Sequence, residues 1–255
     1  YHYGNLAMQN IFQYSLETPV GSRANLGLVT LQSDETIESD MRRYFPEKDV
    51  ALYVSRVASA PEVSADTLAM MEAELPKAAR LLPPPVDFGV VGYGCTSGTS
   101  VIGAKKVTEL ISSGCNTLSV TDPLTALIAA CKKLNISQLG FLSPYVAEVS
   151  LTLRNALNNN GIHSLVFGSF DEAIETRVAR ISGGSIIDAC RALCNQGPVE
   201  GLFLSCTNLQ TIDVIEEIES LCRVPVLSSN QVLAWHMRTL TGLPPNSTGV
   251  GRLMK

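Results

Sequence analysis

The chain has no cluster of basic residues, no apolar run long enough to cross a bilayer and few groups suited to holding a metal. Lysine and arginine total 19 against 24 aspartates and glutamates, a formal net charge of −5. Nucleic-acid binders carry a basic patch, so no nucleic-acid partner is expected. No apolar stretch approaches the roughly 18 residues of a membrane-crossing helix, so no membrane partner is expected either. The stretch from Tyr1 to Gly21 lacks the charged and apolar regions of a secretory leader, and the chain reads as cytoplasmic. Only three histidines are present, His2, His163 and His236, too scattered to form a metal triad by spacing. The seven cysteines include no CxxC pair, and an odd number in 255 residues does not make a disulfide framework, so neither a metal nor a disulfide scaffold is expected. Cys190 and Cys194, four apart on an expected helix, read as small buried hydrophobes.

What is present is apolar material in a regular pattern. Hydrophobic residues make up 45% and charged residues 17% of the chain, enough to build a substantial core. Short apolar strands alternate with longer helical patterns. Strands are expected at 26–31, 50–57, 88–93, 115–120, 138–142, 163–167, 201–205 and 224–227. Helices are expected at 34–44, 65–81, 99–113, 123–134, 145–159, 184–194, 211–221 and 230–240. Such alternation implies parallel sheets covered by helices, an α/β fold, with ligands beyond the carboxyl ends of the strands. Periodicity does not decide between one sheet and two.

Two stretches repeat one design. VVGYGCTSGTSVIG, from Val90 to Gly103, and GLFLSCTNLQTIDVI, from Gly201 to Ile215, each run from an apolar strand into Cys-Thr, a small polar segment and a helix. Cys95 and Cys206 lie roughly 110 positions apart, as in a duplicated half-domain whose copies each donate one thiol to a shared cleft. Backbone N–H groups at a helix start bind anions and favour thiolate over thiol. Thr96, Ser97, Gly98, Thr99 and Thr207 are placed to cradle a carboxylate. Two thiols flanking one carbon can remove and return a proton. Alternatively, one adds covalently while the other protonates. Neither route needs a cofactor. A lone cysteine at a strand end is more often packing; the matched pair shifts the reading to function.

At these motifs the chain resembles the aspartate/glutamate racemase superfamily, in its branch of maleate cis–trans isomerases and arylmalonate decarboxylases. The resemblance spans about Asn25 to Leu243 and rests on GCTSG (Gly94–Gly98), SCT (Ser205–Thr207) and VPVLSSN (Val224–Asn230). It implies two similar parallel-sheet halves related by pseudo-twofold symmetry, with a cofactor-free active site between them. The implied halves are 24–120 plus 225–255, with the last strand and helix returning to the first half, and 121–224; residues 1–23 form an N-terminal extension. It also implies a homodimer. Arylmalonate decarboxylases keep only the second cysteine, so the presence of both argues against simple decarboxylation. By resemblance Cys95 is the nucleophile and Cys206 the acid/base, and Tyr145 in LSPY (Leu142–Tyr145) is a carboxylate donor or packs on the cleft wall.

Departures from that family bear on substrate. Where maleate isomerases carry an asparagine that binds a substrate carboxylate, the segment LQSDETIE (Leu31–Glu38) has Asp34. A second family asparagine is replaced by Glu175 in ETRVARIS (Glu175–Ser182). An ionised carboxylate repels another, so if both acids face the cleft the substrate carries an amino group opposite its carboxylate. Asp34 also has the composition of a helix cap. LQSDETIE is further similar to racemase-like proteins encoded with ectoine-utilisation enzymes, which implies a diaminobutyrate derivative as substrate. The expected function is isomerisation of a small carboxylic acid, in the manner of a maleate isomerase, with two-base racemisation of an amino-acid derivative as the alternative. A non-enzymatic small-molecule binder with ordinary thiols, and cysteine hydrolysis pairing Cys95 with His236, are the rivals. Trp235 reads as a core anchor, Arg177 and Arg180 as solvated, and Asp122 and Asn230 as helix caps.

Overall fold

The computed structural model describes residues 11–245 and 250–255. His2 and the start of the N-terminal extension, residues 1–10, lie outside the described residues. The first sheet comprises β1 (Ala24–Leu31), β2 (Val50–Val57), β3 (Val90–Gly94) and β4 (Val120–Thr121), in the order β2-β1-β3-β4. The second comprises β5 (Gln138–Ser143), β6 (His163–Ser169), β7 (Gly201–Leu204) and β8 (Val226–Ser228), in the order β6-β5-β7-β8. Every ladder within these sheets is parallel. The two orders are the same once the second half is renumbered from its own first strand, so β3 and β7 occupy equivalent places. Cys95 and Cys206 follow those strands.

The helices are α1 (Ile37–Tyr44), α2 (Ala65–Met70), α3 (Leu75–Ala79), α4 (Thr96–Ile102), α5 (Ala104–Ser112) and α6 (Pro123–Leu134). They continue with α7 (Ala147–Asn158), α8 (Glu175–Val178), α9 (Gly183–Cys194), α10 (Ile215–Cys222) and α11 (Ser229–Leu240). Two of them exchange between halves. After β4, Leu124, Leu127 and Ala130 of α6 pack with Leu139, Phe141 and Phe203 of the second sheet. After β8, Leu233, Ala234 and Met237 of α11 pack with Leu26, Leu28 and Val90 of the first. Fully burying a Leu or Phe contributes about 1.5–3 kcal/mol, so these reciprocal stripes weld the halves together. Among the described residues no helix is long and apolar enough to cross a membrane.

The structure differs from the sequence expectation most at the following places, besides the unexpected α8. The last strand does not return to the first half: β8 hydrogen-bonds to β7, and only α11 crosses back. The helix expected over 99–113 is two helices, because Gly103 adopts φ +93° and breaks the ladder between α4 and α5. The helix expected over 65–81 is α2, a 3₁₀ turn (Met71–Ala73) and α3; Pro76 lacks the N–H that would continue the earlier turns. The strand expected over 115–120 pairs as β4 only at Val120–Thr121, with one isolated bridge from Thr117 to Phe88.

Candidate active site

Order β2-β1-β3 makes the connections after β1 and β3 leave the sheet on opposite sides, and the crevice at such a switch point binds ligands. Both sheets present that crevice, and the two face each other. Leu31 and Asp34 after β1, Cys95, Thr96 and Ser97 after β3, Tyr145 after β5, Glu175 after β6, and Cys206 and Thr207 after β7 line one cavity. The site residues expected from sequence are thereby brought together, with one exception. Gly98 acts beneath the wall, its N–H donating to Cys95 Sγ at 3.2 Å.

Asp34 lines the wall and also ties down the turn before α1, whose N-cap position is Thr36. Its Oδ1 accepts the Thr36 and Ile37 N–H groups, each at 2.8 Å, at the start of α1. Its Oδ2 accepts from Thr207 Oγ1 at 2.8 Å across the cleft. Glu175 accepts from the Tyr145 hydroxyl at 2.7 Å through Oε1 and from Asn208 Nδ2 at 2.7 Å through Oε2. The same Tyr145 hydroxyl stands 2.9 Å from Cys206 Sγ. Both acids are buried, which pushes each carboxyl above its ordinary pKa, and the Asp34 charge adds to the rise at Glu175.

The thiols reverse one expectation. Burial, with Glu175 and Asp34 adding to it, pushes Cys95 up to about 12 and Cys206 well above its ordinary range. The Gly98 N–H on Cys95 and the Asn208 N–H on Cys206, at 3.3 Å, pull the other way and do not prevail. In the substrate-free cleft both are therefore thiols at neutral pH, because desolvation outweighs the helix-start donors that were expected to favour thiolate.

Three features escaped the sequence reading. Cys206 adopts φ +116°, a strained region for a side chain larger than glycine's. Ser229, the first residue of α11, accepts the Cys206 N–H at 3.0 Å and the Thr96 hydroxyl at 2.8 Å, so one oxygen joins the two Cys-Thr motifs. Asn208 accepts the Glu35 N–H at 2.8 Å while its amide nitrogen holds Glu175, which ties the first half's loop to α8. Asn208 stands in the SCTN motif beside Cys206, and Ser229 in the VPVLSSN motif, whose serines read either as helix caps or as substrate contacts.

The remaining candidates lie elsewhere. His236 pairs through Nδ1 with Thr121 Oγ1 at 2.7 Å and does not line the cavity, which removes the Cys95–His236 pairing. Trp235 packs between two core clusters. Arg177 pairs with Glu172 and Arg180 with Glu35, all outside the cavity. Asp122 caps α6 through the Thr125 N–H at 2.8 Å. Asn230 caps nothing: Ser228 caps α11, and the Asn230 amide donates to Asp40 and to the Thr207 carbonyl, each at 2.8 Å. Thr99 turns its hydroxyl back to the Cys95 carbonyl at 2.8 Å. Among the described residues no group of three or more His, Cys, Asp or Glu is arranged to hold a metal ion.

The cavity encloses only about 10 Å³ of water-reachable space, room for roughly one water. Val63 and Leu68 roof it and also border a neighbouring cavity of about 320 Å³. Their segment is clasped to the loop before α8 by the Val63 N–H to Ala173 carbonyl bond at 3.1 Å and the Glu175 N–H to Pro61 carbonyl bond at 3.2 Å. A small acid is larger than this space, so its binding requires the cavity to widen.

Known proteins share this fold. The chain is 23% identical over 241 residues to the maleate isomerase of Nocardia farcinica, covering 90% of this chain and 95% of that one. It is 27% identical over 141 residues to the arylmalonate decarboxylase of Bordetella bronchiseptica, covering 54% of this chain and 57% of that one. A cysteine-to-serine mutant of the Nocardia farcinica maleate cis–trans isomerase, solved with a covalently bound succinylcysteine intermediate, superposes with a TM-score of 0.80 at 22% identity, covering 91% of this chain and 98% of that one. The maleate isomerase of Pseudomonas putida S16 gives 0.79 at 19% identity, covering 91% and 98%. The arylmalonate decarboxylase (Amdase) family model matches residues 103–254, and the chain belongs to that family of enzymes.

Proposed function

We propose that the protein is a cofactor-independent isomerase of a small carboxylic acid in which Cys95 is the nucleophile and Cys206 the acid/base. The observation that carries this reading is the pair of thiols lining one closed cavity from equivalent strand ends of two matching sheets. Ser97, Thr96 and Thr207 supply hydroxyls to the same wall. The covalent succinylcysteine in the Nocardia farcinica isomerase supports cysteine addition as the step to test here. In that route Cys95 gives its proton to solvent as substrate enters and its sulfur adds to a double-bonded carbon, the adjacent carbon takes a proton from Cys206, the bond between them rotates, Cys206 takes a proton back and the Cys95 sulfur leaves.

A second reading, two-base racemisation of an amino-acid derivative such as a diaminobutyrate derivative, is favoured by one observation. Asp34 and Glu175 both line the cavity, and among the described residues no lysine, arginine or histidine does. A doubly charged acid would meet two carboxylates and no cation, whereas an ammonium group would meet a partner.

Turnover in D₂O tests the proposal and separates its two forms. Two-base racemisation puts a solvent deuteron on the α-carbon at every inversion; addition and rotation passes through a carbon bearing one old hydrogen and one deuteron, and labels the product only when Cys206 takes back the old hydrogen. Cys95→Ala and Cys206→Ala are each expected to abolish turnover of a verified substrate, and full activity in both would overturn the two-thiol mechanism. Slow alkylation at neutral pH does not separate an enzyme from a mere binder, because burial raises both thiols; turnover does.

A further inference from the structure

We propose that Glu175 is a proton store for Cys206, exchanging a proton with the thiol through the hydroxyl of Tyr145. The inference rests on the reading of Cys206 as a proton-transfer residue and says how a buried thiol comes to act as one.

The geometry fixes the direction of the bonds. An ionised carboxylate only accepts, so the Tyr145 hydroxyl donates to Glu175 Oε1 at 2.7 Å. Its oxygen is then the acceptor for the Cys206 S–H at 2.9 Å. Moving each proton one step along this line leaves a thiolate, a phenol and a carboxylic acid. The Cys206 proton has gone to Tyr145 and the Tyr145 proton to Glu175. The bonds now run the other way: Glu175 donates to Tyr145, and Tyr145 donates to the sulfur.

One negative charge exists before and after. Creating a thiolate afresh in a closed cavity carries the full desolvation penalty of a new ion; relocating a charge already there does not. Both ends of the line are held for it. Asn208 Nδ2 fixes Glu175 Oε2 at 2.7 Å, which leaves Oε1 for Tyr145. The Asn208 backbone N–H, at 3.3 Å from Cys206 Sγ, is a donor to the sulfur in either state. Cys95 has the Gly98 N–H and the Tyr93 hydroxyl, and Tyr93 bonds onward to the Met71 sulfur and not to a carboxylate. The two thiols are therefore unlike, and Cys206 is the one equipped to gain and lose a proton.

The ionisable groups facing Glu175 are few. Asp34 lies across the cavity from β1, Cys95 from β3, and Tyr145 and Cys206 from the second sheet. Arg177, on Glu175's own helix, turns outward to Glu172 at 2.7 Å. No cation on the cavity wall competes for the Glu175 charge. An amide at this position would keep the hydrogen bonds and lose the store, which is what the acid adds.

The test reads Cys206 itself. In full-length Cys95→Ser enzyme, iodoacetamide labelling of the Cys206 peptide is followed by mass spectrometry from about pH 5.5 to about pH 10, across the range where an ordinary thiol titrates. A cleft that opens for a carboxylic acid opens for this reagent. With the relay, the labelling rate rises as Glu175 ionises and is then flat over about two pH units, because the thiolate fraction is set by proton sharing and not by solvent pH. Glu175→Gln and, independently, Tyr145→Phe are expected to remove the flat region, so that the rate climbs about tenfold per pH unit, and to slow labelling at neutral pH by about tenfold or more. A flat region that survives Glu175→Gln, a rate that climbs throughout in the parent, or no labelling at any pH would overturn the relay. None of these readouts is turnover. Loss of the relay with isomerisation intact leaves the proposed function standing, and a flat profile in an enzyme that turns over no acid does the reverse.

Discussion

Thr207 Oγ1 donates to Asp34 Oδ2 at 2.8 Å, so the residue after the second half's cysteine holds the carboxylate that follows the first half's central strand. This bond runs through the middle of the site. With the Ser229 oxygen, which joins Thr96 to the Cys206 N–H, it makes the relative position of the two thiols a property of cross-half hydrogen bonds as well as of apolar packing.

Asp34→Asn separates the structural and the recognition roles of that carboxylate. An amide oxygen can still accept the Thr36 and Ile37 N–H groups, so the variant is expected to lose no more than about 1 kcal/mol, whereas Asp34→Ala leaves those donors unmet and costs about 1–2 kcal/mol. Charge-assisted hydrogen bonds are about twice as strong as neutral ones. The KM for an amino-acid derivative is therefore expected to rise about tenfold in Asp34→Asn, while that for a dicarboxylic acid falls. Denaturant melts and paired KM measurements check both statements.

Asp40 supplies a pH dependence of stability. Burial raises its carboxyl to about 6 although the Asn230 amide donates to it at 2.8 Å. An acid that titrates higher folded than unfolded binds more protons in the native state, so its contribution is favourable at low pH and is lost as pH rises from about 4 through about 6. Above that window the loss is on the order of 3 kcal/mol. Asp40→Asn, which can keep the bond from Asn230, is expected to stabilise the protein at pH 7 to 8 by about that order and to have little effect below about pH 4. Urea melts across the pH range would show it; a pH-independent difference would sink the assignment.

Gly98 admits no side chain. A Cβ there would lie 2.6 Å from Tyr93 Oη and 2.8 Å from Cys95 Sγ, and both groups are buried. Gly98→Ala must therefore push the thiol off its Gly98 N–H donor. We expect kcat to fall about a hundredfold with the fold retained, since misplacing a reacting group by about 1 Å has that effect. Unchanged kcat would mean that the Cys95 sulfur is not held where the reaction needs it.

The parts of this site that were legible in sequence are those encoded locally. A strand, Cys-Thr and a helix start are consecutive at both Cys95 and Cys206, and Asp34 precedes α1 as a cap does. What was not legible depends on residues brought together from afar. Glu175 and Cys206 meet only through folding, and their mutual burial reversed the expected direction of the thiol pKa. The partner of β8 is likewise a matter of which sheet edge is open, which hydrophobic alternation does not record. Helix breaks at Gly103 and Pro76 were written in the sequence but overridden by apolar periodicity on either side.

Ser229→Ala tests the strained cysteine. At φ +116° Cys206 holds a conformation that costs about 1–3 kcal/mol for a residue with a side chain. The bond from its N–H to Ser229 Oγ, at 3.0 Å, is what fixes that backbone to α11. Removing the hydroxyl orphans the Cys206 N–H and the Thr96 hydroxyl together, both buried, for an expected loss of about 1–3 kcal/mol. The freed backbone can then relax toward ordinary φ, which swings the thiol from Tyr145. Loss of kcat is therefore expected to exceed anything the stability change explains, and a crystal structure of the variant should show φ of Cys206 returned to negative values. If φ stays positive, the strain is imposed by the β7–α10 connection and not by Ser229.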